Sequence, residues 1–301
     1  MHGDPFKPAD LSGIDASTRA SILVEALPYI QQFAGATVVV KFGGNAMVDD
    51  ALAHSFAADV VLLRAVGMRP VVVHGGGPQI GDLMGRLGME PEFRDGLRVT
   101  DADTLDVARM VLAGKVNRDI VAAINRHDRR AVGLSGEDAG LIIARQRDAD
   151  LGFVGDVAEV DDRVLDTLLG DGFIPVISTI GSDGAGQAYN INADSAAIAI
   201  AETLRAEKLI YLTDVPGLLT DMADPASLVS RLTVARARLL IDDGVVTGGM
   251  IPKLEACVEA VAGGVGSAHI LDGRVPHVVL LELLTDAGVG TMLIRTERAV
   301  A

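Results

Sequence analysis

Val38-Val39-Val40-Lys41-Phe42-Gly43-Gly44-Asn45-Ala46-Met47 decides the fold class of this chain. Three β-branched residues make a short apolar run, a lysine and two glycines follow, and a helical pattern comes next. A buried strand is being turned sharply, with a cation at its end. Open α/β sheets bind ligands there, outside the carboxyl ends of their strands. The glycine pair lets an anion approach backbone N–H groups, and the lysine adds a point charge. The stretch alone is equally compatible with an ordinary strand-to-helix turn and a solvated lysine.

The next apolar run repeats the pattern. Residues 49–66 read as a helix, Pro70-Val71-Val72-Val73 as a second buried strand, and His74-Gly75-Gly76-Gly77-Pro78 as its glycine turn into another helix. Strand, helix and strand at this spacing predict a parallel pair with two glycine turns on one edge. A polar segment from Glu90 to Thr100 precedes a long helix over 103–126. Strands follow at 131–134, 172–178, 208–212, 267–271 and 290–295, with helices at 161–169, 193–205, 231–242, 250–262 and 276–284. Segments 141–144 and 152–160 read as a small antiparallel patch, and 181–187 as a loop. The alternation predicts an α/β fold, a mostly parallel central sheet between helical layers. No linker rich in Pro or Ser divides it, so two lobes are expected to share one sheet.

Ahead of the first strand, residues 1–16 look loose. Ile22, Leu23, Ala26, Leu27, Ile30 and Phe33 then recur at helical spacing as one apolar stripe, with Pro28 placed to kink or divide the helix. Such a helix packs on its own domain or on another subunit.

Composition narrows the function. A net charge of −15 over 301 residues opposes general nucleic-acid binding. It leaves room for a small anionic substrate in a locally basic cleft. Cys257 is the single cysteine, which excludes an intrachain disulfide framework and a multi-cysteine metal site. No secretory signal or apolar run of membrane-spanning length is visible. A cytoplasmic protein is the expectation.

The loops suggest phosphoryl transfer, where catalysis is mainly positioning and charge neutralisation. Lys41 with Gly43 and Gly44 ends one strand, and Gly75, Gly76 and Gly77 end its neighbour. Lys253 opens a helix after Gly248-Gly249, and Asp194 opens another. Two lysines can approach a phosphoryl group from the two halves of the chain, with an aspartate between them. A purely structural reading of these turns stays open. No P-loop is present. His74-Gly75-Gly76-Gly77 resembles a lipase oxyanion loop, but no G-x-S-x-G elbow accompanies it. No His/Asp/Cys cluster has metal-ligand spacing.

Six segments in fixed order carry a family likeness: Val-Lys-Phe-Gly-Gly-Asn-Ala-Met (40–47), Val-His-Gly-Gly-Gly-Pro-Gln-Ile (73–80), Gly-Leu-Arg-Val-Thr-Asp (96–101), Asn-Ile-Asn-Ala-Asp (190–194), Leu-Thr-Asp-Val-Pro-Gly-Leu (212–218) and Gly-Gly-Met-Ile-Pro-Lys (248–253). Over about residues 18–296 the chain resembles the amino acid kinase family, in particular its arginine-biosynthetic members. That resemblance implies an αβα sandwich with an N-terminal oligomerisation helix within 1–34. An amino-acid-binding and dimerisation lobe would span 35–189, and a nucleotide lobe 190–301. It implies transfer of the γ-phosphoryl of ATP to the side-chain carboxylate of N-acetyl-L-glutamate, with Mg²⁺ carried mainly on the ATP phosphates.

In that scheme Lys41 and Lys253 neutralise the transferring phosphoryl and Asp194 orients both lysines. Gly43, Gly44, Gly76 and Gly77 surround it, and Arg98 and Asn190 hold the substrate. Tyr211, Thr213, Asp214, Gly217, Leu218, Gly248 and Met250 line the nucleotide site. Resemblance to arginine-inhibited members further implies a homo-oligomer, a hexamer built as a trimer of dimers. It also implies an L-arginine site near Tyr29, Lys208, His269, Glu282 and Gly288. The Arg145–Gly152 connection is short against the family pattern. Carbamate, aspartate and glutamate 5-kinases are the rival enzymes. The last two are expected to carry further C-terminal segments, and a carbamate kinase has no use for Arg98. A non-catalytic amino-acid sensor on this fold is the rival of another class.

Overall fold

The computed structural model describes residues 13–47, 49–221 and 224–296, so most of the N-terminal stretch read as loose lies outside the described residues. Eight strands form one sheet in the order Arg231–Thr233, Thr291–Ile294, Ser267–Asp272, Lys208–Thr213, Thr37–Phe42, Arg69–His74, Ile174–Ser178, Ala131–Ser135. Every adjacent pair is parallel except Ser267–Asp272 with Thr291–Ile294. Thr37–Phe42 is central. It pairs with Arg69–His74 on one side and with Lys208–Thr213 on the other, so the two halves of the chain share a single sheet.

Side-chain alternation along the central strand creates two cores. Val38, Val40 and Phe42 face the helices Asp50–Ala65, Asn117–His127 and Val278–Leu284. Val39 faces the helices Ala193–Thr203 and Met250–Gly263. Aliphatic side chains fill both cores, as the low aromatic content requires. One aromatic pair, Phe42 stacked on Phe56 at 4.0 Å between ring centroids, ties the strand to Asp50–Ala65.

Several elements differ from their sequence reading. The N-terminal helix is the exception: it divides just before Pro28, one of the two outcomes expected there, into Ala16–Glu25 and Leu27–Phe33. The long helix over 103–126 is Ala102–Arg109 and Asn117–His127 joined by a π-helical run, Met110–Val116. The small patch is larger than expected. Ile142–Gln146, Val154–Val160, Ile180–Ser182 and Ala188–Ile191 close into a four-stranded barrel containing parallel as well as antiparallel pairs. Arg231–Thr233, read as helix, is an edge strand whose Thr233 caps Val234–Asp242. Phe93–Arg94 and Leu97–Arg98 form a short hairpin in the segment read as irregular.

Candidate active site

Lys41 shares its strand face with Val39 and therefore points toward the helix Ala193–Thr203. Asp194 lies in that helix's first turn, and Lys41 Nζ is 3.0 Å from Asp194 Oδ1. Asn192 caps the helix, its side-chain oxygen accepting from the Asp194 and Ser195 N–H groups, which fixes where the carboxylate emerges. At Gly44 φ is +67°, and a Cβ there would lie 2.7 Å from Asp214 Oδ1. The turn thus requires glycine both for its left-handed backbone and for the close approach of Asp214 from the far half of the chain.

Behind this turn is a cleft of about 260 Å³. It brings together Lys41, Gly43, Gly44, Gly76, Gly77, Arg98 and Asn190, all expected from sequence. Phe93, Leu97, Thr179 and Asn192 also line it and were not anticipated. Gly76 precedes the helix Gly77–Arg86, whose first-turn N–H groups have no intrahelical acceptor and favour an anion.

At the hairpin end, Arg98 is buried. Its Nη2 donates to the Gly77 carbonyl at 2.9 Å, its Nη1 is 3.3 Å from Met84 Sδ, and its guanidinium lies 4.7 Å from the centre of the Phe93 ring. None of these partners is anionic, and burial lowers its pKa. A desolvated guanidinium of this kind favours a carboxylate ligand. Asn190 donates through Nδ2 to Thr100 Oγ1 at 3.3 Å. The short Arg145–Gly152 connection serves this corner. The Thr100 N–H donates to the Leu151 carbonyl and the Phe153 N–H to the Thr100 carbonyl, holding Thr100 between Arg98 and Asn190.

Of the residues expected at a nucleotide, Asp214 lies against the Gly44 turn. Thr213 ends its strand, and Asp214, Gly217 and Leu218 follow in the loop. The Leu218 N–H donates to Thr291 Oγ1 at 2.8 Å, and at Gly217 φ is +135° with no room for a Cβ against Thr291. Gly248 and Met250 lead into Met250–Gly263. Tyr211 is buried in the core, as Leu218 is, and burial raises its phenol pKa. Lys253 lies near the start of its helix, and its Nζ donates to the Gly249 carbonyl at 3.1 Å. The structure therefore joins Asp194 to Lys41, while Lys253 turns back on its own helix.

A separate cleft of about 700 Å³ contains all five residues grouped as an effector site: Tyr29, Lys208, His269, Glu282 and Gly288. His269 Nδ1 is 2.7 Å from Glu282 Oε1. A carboxylate only accepts, so Nδ1 carries the proton, and Nε2 accepts from Ser267 Oγ at 2.9 Å and faces Lys208 Nζ at 3.3 Å. Burial first, and the Lys208 charge second, lower the His269 pKa. Burial also lowers that of Lys208, whose ammonium sits 4.7 Å over the Phe33 ring. Glu282 Oε2 is buried and has no hydrogen-bond partner among the described residues.

Comparison with known proteins agrees with this geometry. The model of the amino acid kinase family matches residues 36–272. The acetylglutamate kinase of Nostoc punctiforme is 54% identical over 282 residues, 93% of this chain and 95% of that protein. The structure of N-acetylglutamate synthase from Neisseria gonorrhoeae complexed with coenzyme A and N-acetyl-glutamate superposes with a TM-score of 0.81 at 29% identity, over 94% of this chain and 64% of the synthase chain. The same synthase with coenzyme A and L-arginine gives 0.76 at 27%, over 92% of this chain and 65% of the other. The chain belongs to the amino acid kinase family. Within it, the chain is closely related to the acetylglutamate kinases.

Proposed function

We propose that this chain is a phosphotransferase that moves the γ-phosphoryl of ATP to the side-chain carboxylate of N-acetyl-L-glutamate, a step of arginine biosynthesis. The observation that carries the reading is the Lys41–Asp194 pair at the mouth of a glycine-lined cleft whose far end presents Arg98. Arg98 takes the α-carboxylate of the acceptor, and Asn190 orients its middle. The side-chain carboxylate then lies at the glycine turns. One of its oxygens attacks the γ-phosphorus, an O–P bond forms, and the bond to the β-bridging oxygen breaks with its electron pair leaving on ADP. No proton moves, so no general base is needed. The Gly44 and Gly76 N–H groups and Lys41 stabilise charge on the transferring oxygens.

Lys253 swings from Gly249 to the phosphates when nucleotide binds beside the 213–218 loop and the start of Met250–Gly263. Mg²⁺ would be carried mainly on the ATP phosphates, where it would spread their negative charge. Asp214, a hard oxygen donor against the Gly44 turn, has the chemistry to face that ion.

In the second cleft we infer an L-arginine site. The unpartnered Glu282 oxygen suits a guanidinium, the neutral His269 stands beside Lys208, and Glu207 and Asp286 add further carboxylates to the cleft wall. The arginine-bound relative supports that reading. The assembly expected is a homo-oligomer, finer than which we propose dimers joined in threes through the N-terminal helices. No helix among the described residues is long and apolar enough to cross a membrane, and we propose a cytoplasmic location.

The test is ATP consumption by purified protein with N-acetyl-L-glutamate, glutamate, aspartate and carbamate as acceptors, with and without millimolar L-arginine. Turnover confined to the acetylated substrate and suppressed by arginine is expected. Turnover on another acceptor alone refutes the assignment of Arg98 and Asn190. Turnover indifferent to arginine refutes the effector site.

A further inference from the structure

His74 ends the strand Arg69–His74 and has no part in the reaction as derived above. It is fully buried. Its Nδ1 lies 2.9 Å from the carbonyl oxygen of Gly75. A carbonyl only accepts, so Nδ1 bears the proton and Nε2 is left with its lone pair. Asn117 Nδ2 lies 3.1 Å from that Nε2 and donates to it. The orientation of the Asn117 amide is itself fixed. Its two Nδ2 hydrogens go to His74 Nε2 and to the Val176 carbonyl at 2.8 Å, the Leu134 carbonyl stands 3.3 Å away, and Oδ1 accepts from Arg118. Burial, with a smaller effect of the Arg118 charge, holds the His74 pKa down at about 4, so the ring is neutral at physiological pH.

The consequence falls on the next peptide. No cis bond occurs among the described residues, and a trans peptide points the Gly75 C=O and the Gly76 N–H in opposite directions within one plane. A Gly75 oxygen tied back to the imidazole turns the Gly76 N–H the other way, toward the cleft that Gly76 lines. The loop is also braced from its far side. Leu112 and Val116 of the π-helical run press on Gly76, 2.7 and 3.3 Å from where a Cβ would stand. The same π-helical run ends at Asn117. Single π turns are often found at functional sites, and this one braces Gly76 and delivers the amide that fixes His74.

We propose that His74, locked as its Nδ1–H tautomer by Asn117, is a positioning residue that aims the Gly76 N–H at the transferring phosphoryl. The inference rests on the phosphotransferase reading of the cleft. The full-length protein is compared with His74→Leu, His74→Asn and Asn117→Leu, measuring kcat, both KM values, the melting temperature and the ¹⁵N signature of the His74 tautomer.

An asparagine amide can stand where Nδ1–H stood, whereas leucine has no donor. His74→Leu is expected to lower kcat by about 10²-fold, the scale for a misdirected oxyanion donor. KM for ATP should change little, and His74→Asn should restore most of the loss. Asn117→Leu is expected to release the tautomer lock and lower kcat in the same direction. A folded His74→Leu with wild-type kcat overturns the proposal, as does a His74→Asn no better than His74→Leu. An Nε2–H tautomer in the wild type also overturns it and needs no variant to fold. Absence of any wild-type turnover on N-acetyl-L-glutamate would refute the function instead, and the tautomer measurement would still decide whether His74 holds Gly75.

Discussion

Lys41 is where the two halves of the chain meet as chemistry. Its ammonium is oriented by Asp194, which sits across the central strand on the helix Ala193–Thr203. In the proposed transfer, removing either side chain would leave the transferring oxygens without an aligned cation. Lys41→Met is expected to lower kcat by at least about 10²-fold while the protein stays folded, because the side chain lies at the cleft mouth and not in the core. Asp194→Asn, which keeps the volume and loses the charge, should fall in the same direction by less. Steady-state kinetics with thermal unfolding as the control checks both. Residues within ungapped motifs were the most legible. Lys41, Gly44, Gly76, Arg98 and Asn190 each stand beside a strand end or turn that local pattern can locate. Phe93 and Asn117 were not legible, because their roles depend on partners brought together only by folding. His74 was seen as part of a glycine motif, but its partner lies 43 positions away.

Elements explain both the accuracy of the fold reading and its misses. The βαβ spacing of Val38 to His74 dictated a parallel pair, and the structure contains it, with Val39 opposite Val71. The π-helical run went unseen because one widened turn leaves the apolar periodicity of the flanking helices intact. Arg231–Thr233 read as helix because three residues are too few to show alternation ahead of the helix they cap. Elements also lock together away from the cleft. Asp59 on the helix Asp50–Ala65 lies with its Oδ1 2.6 Å from Nδ1 of His277, and the His277 N–H donates to Ser55 Oγ on the same helix. This pair anchors the helix Val278–Leu284, which carries Glu282.

Burial raises the Asp59 pKa from 3.8 to about 6, against the opposing hydrogen bond and charge of His277. The folded state therefore retains a proton that the unfolded state has released between those values. That contribution to stability is full below pH 3.8 and is lost as the pH rises through about 6. Melting curves of the wild type and Asp59→Asn should thus diverge across this window, the wild type losing ground as pH rises. Parallel curves would contradict the assignment.

At the scale of the molecule, one feature of the single chain points outward. Ile22 is 52% and Leu23 76% exposed on the helix Ala16–Glu25, and none of that helix's residues is buried. The apolar stripe read from sequence is real, but within one chain only Phe33, on the second helix, is buried from it. Exposed apolar side chains clustered on one terminal helix suit another copy of the chain. Ile22→Ser combined with Leu23→Ser is expected to reduce the assembly to smaller particles by light scattering. Unchanged mass would contradict a role for this helix in assembly.

The net charge of −15 is also a whole-molecule property, and it hides the local arrangement that matters. Lys41 and Arg98 face one small cleft, and an acidic surface does not prevent that cleft from receiving an anionic substrate.

The central claim is that a carboxylate oxygen takes the phosphoryl group, and trapping the product tests it most directly. The product would be an acyl phosphate, which hydroxylamine converts to a hydroxamate. With N-acetyl-L-glutamate, ATP and Mg²⁺, the account predicts one hydroxamate formed per ADP, and none with Lys41→Met. ADP released without hydroxamate, or hydroxamate formed only from a different acceptor, would contradict it.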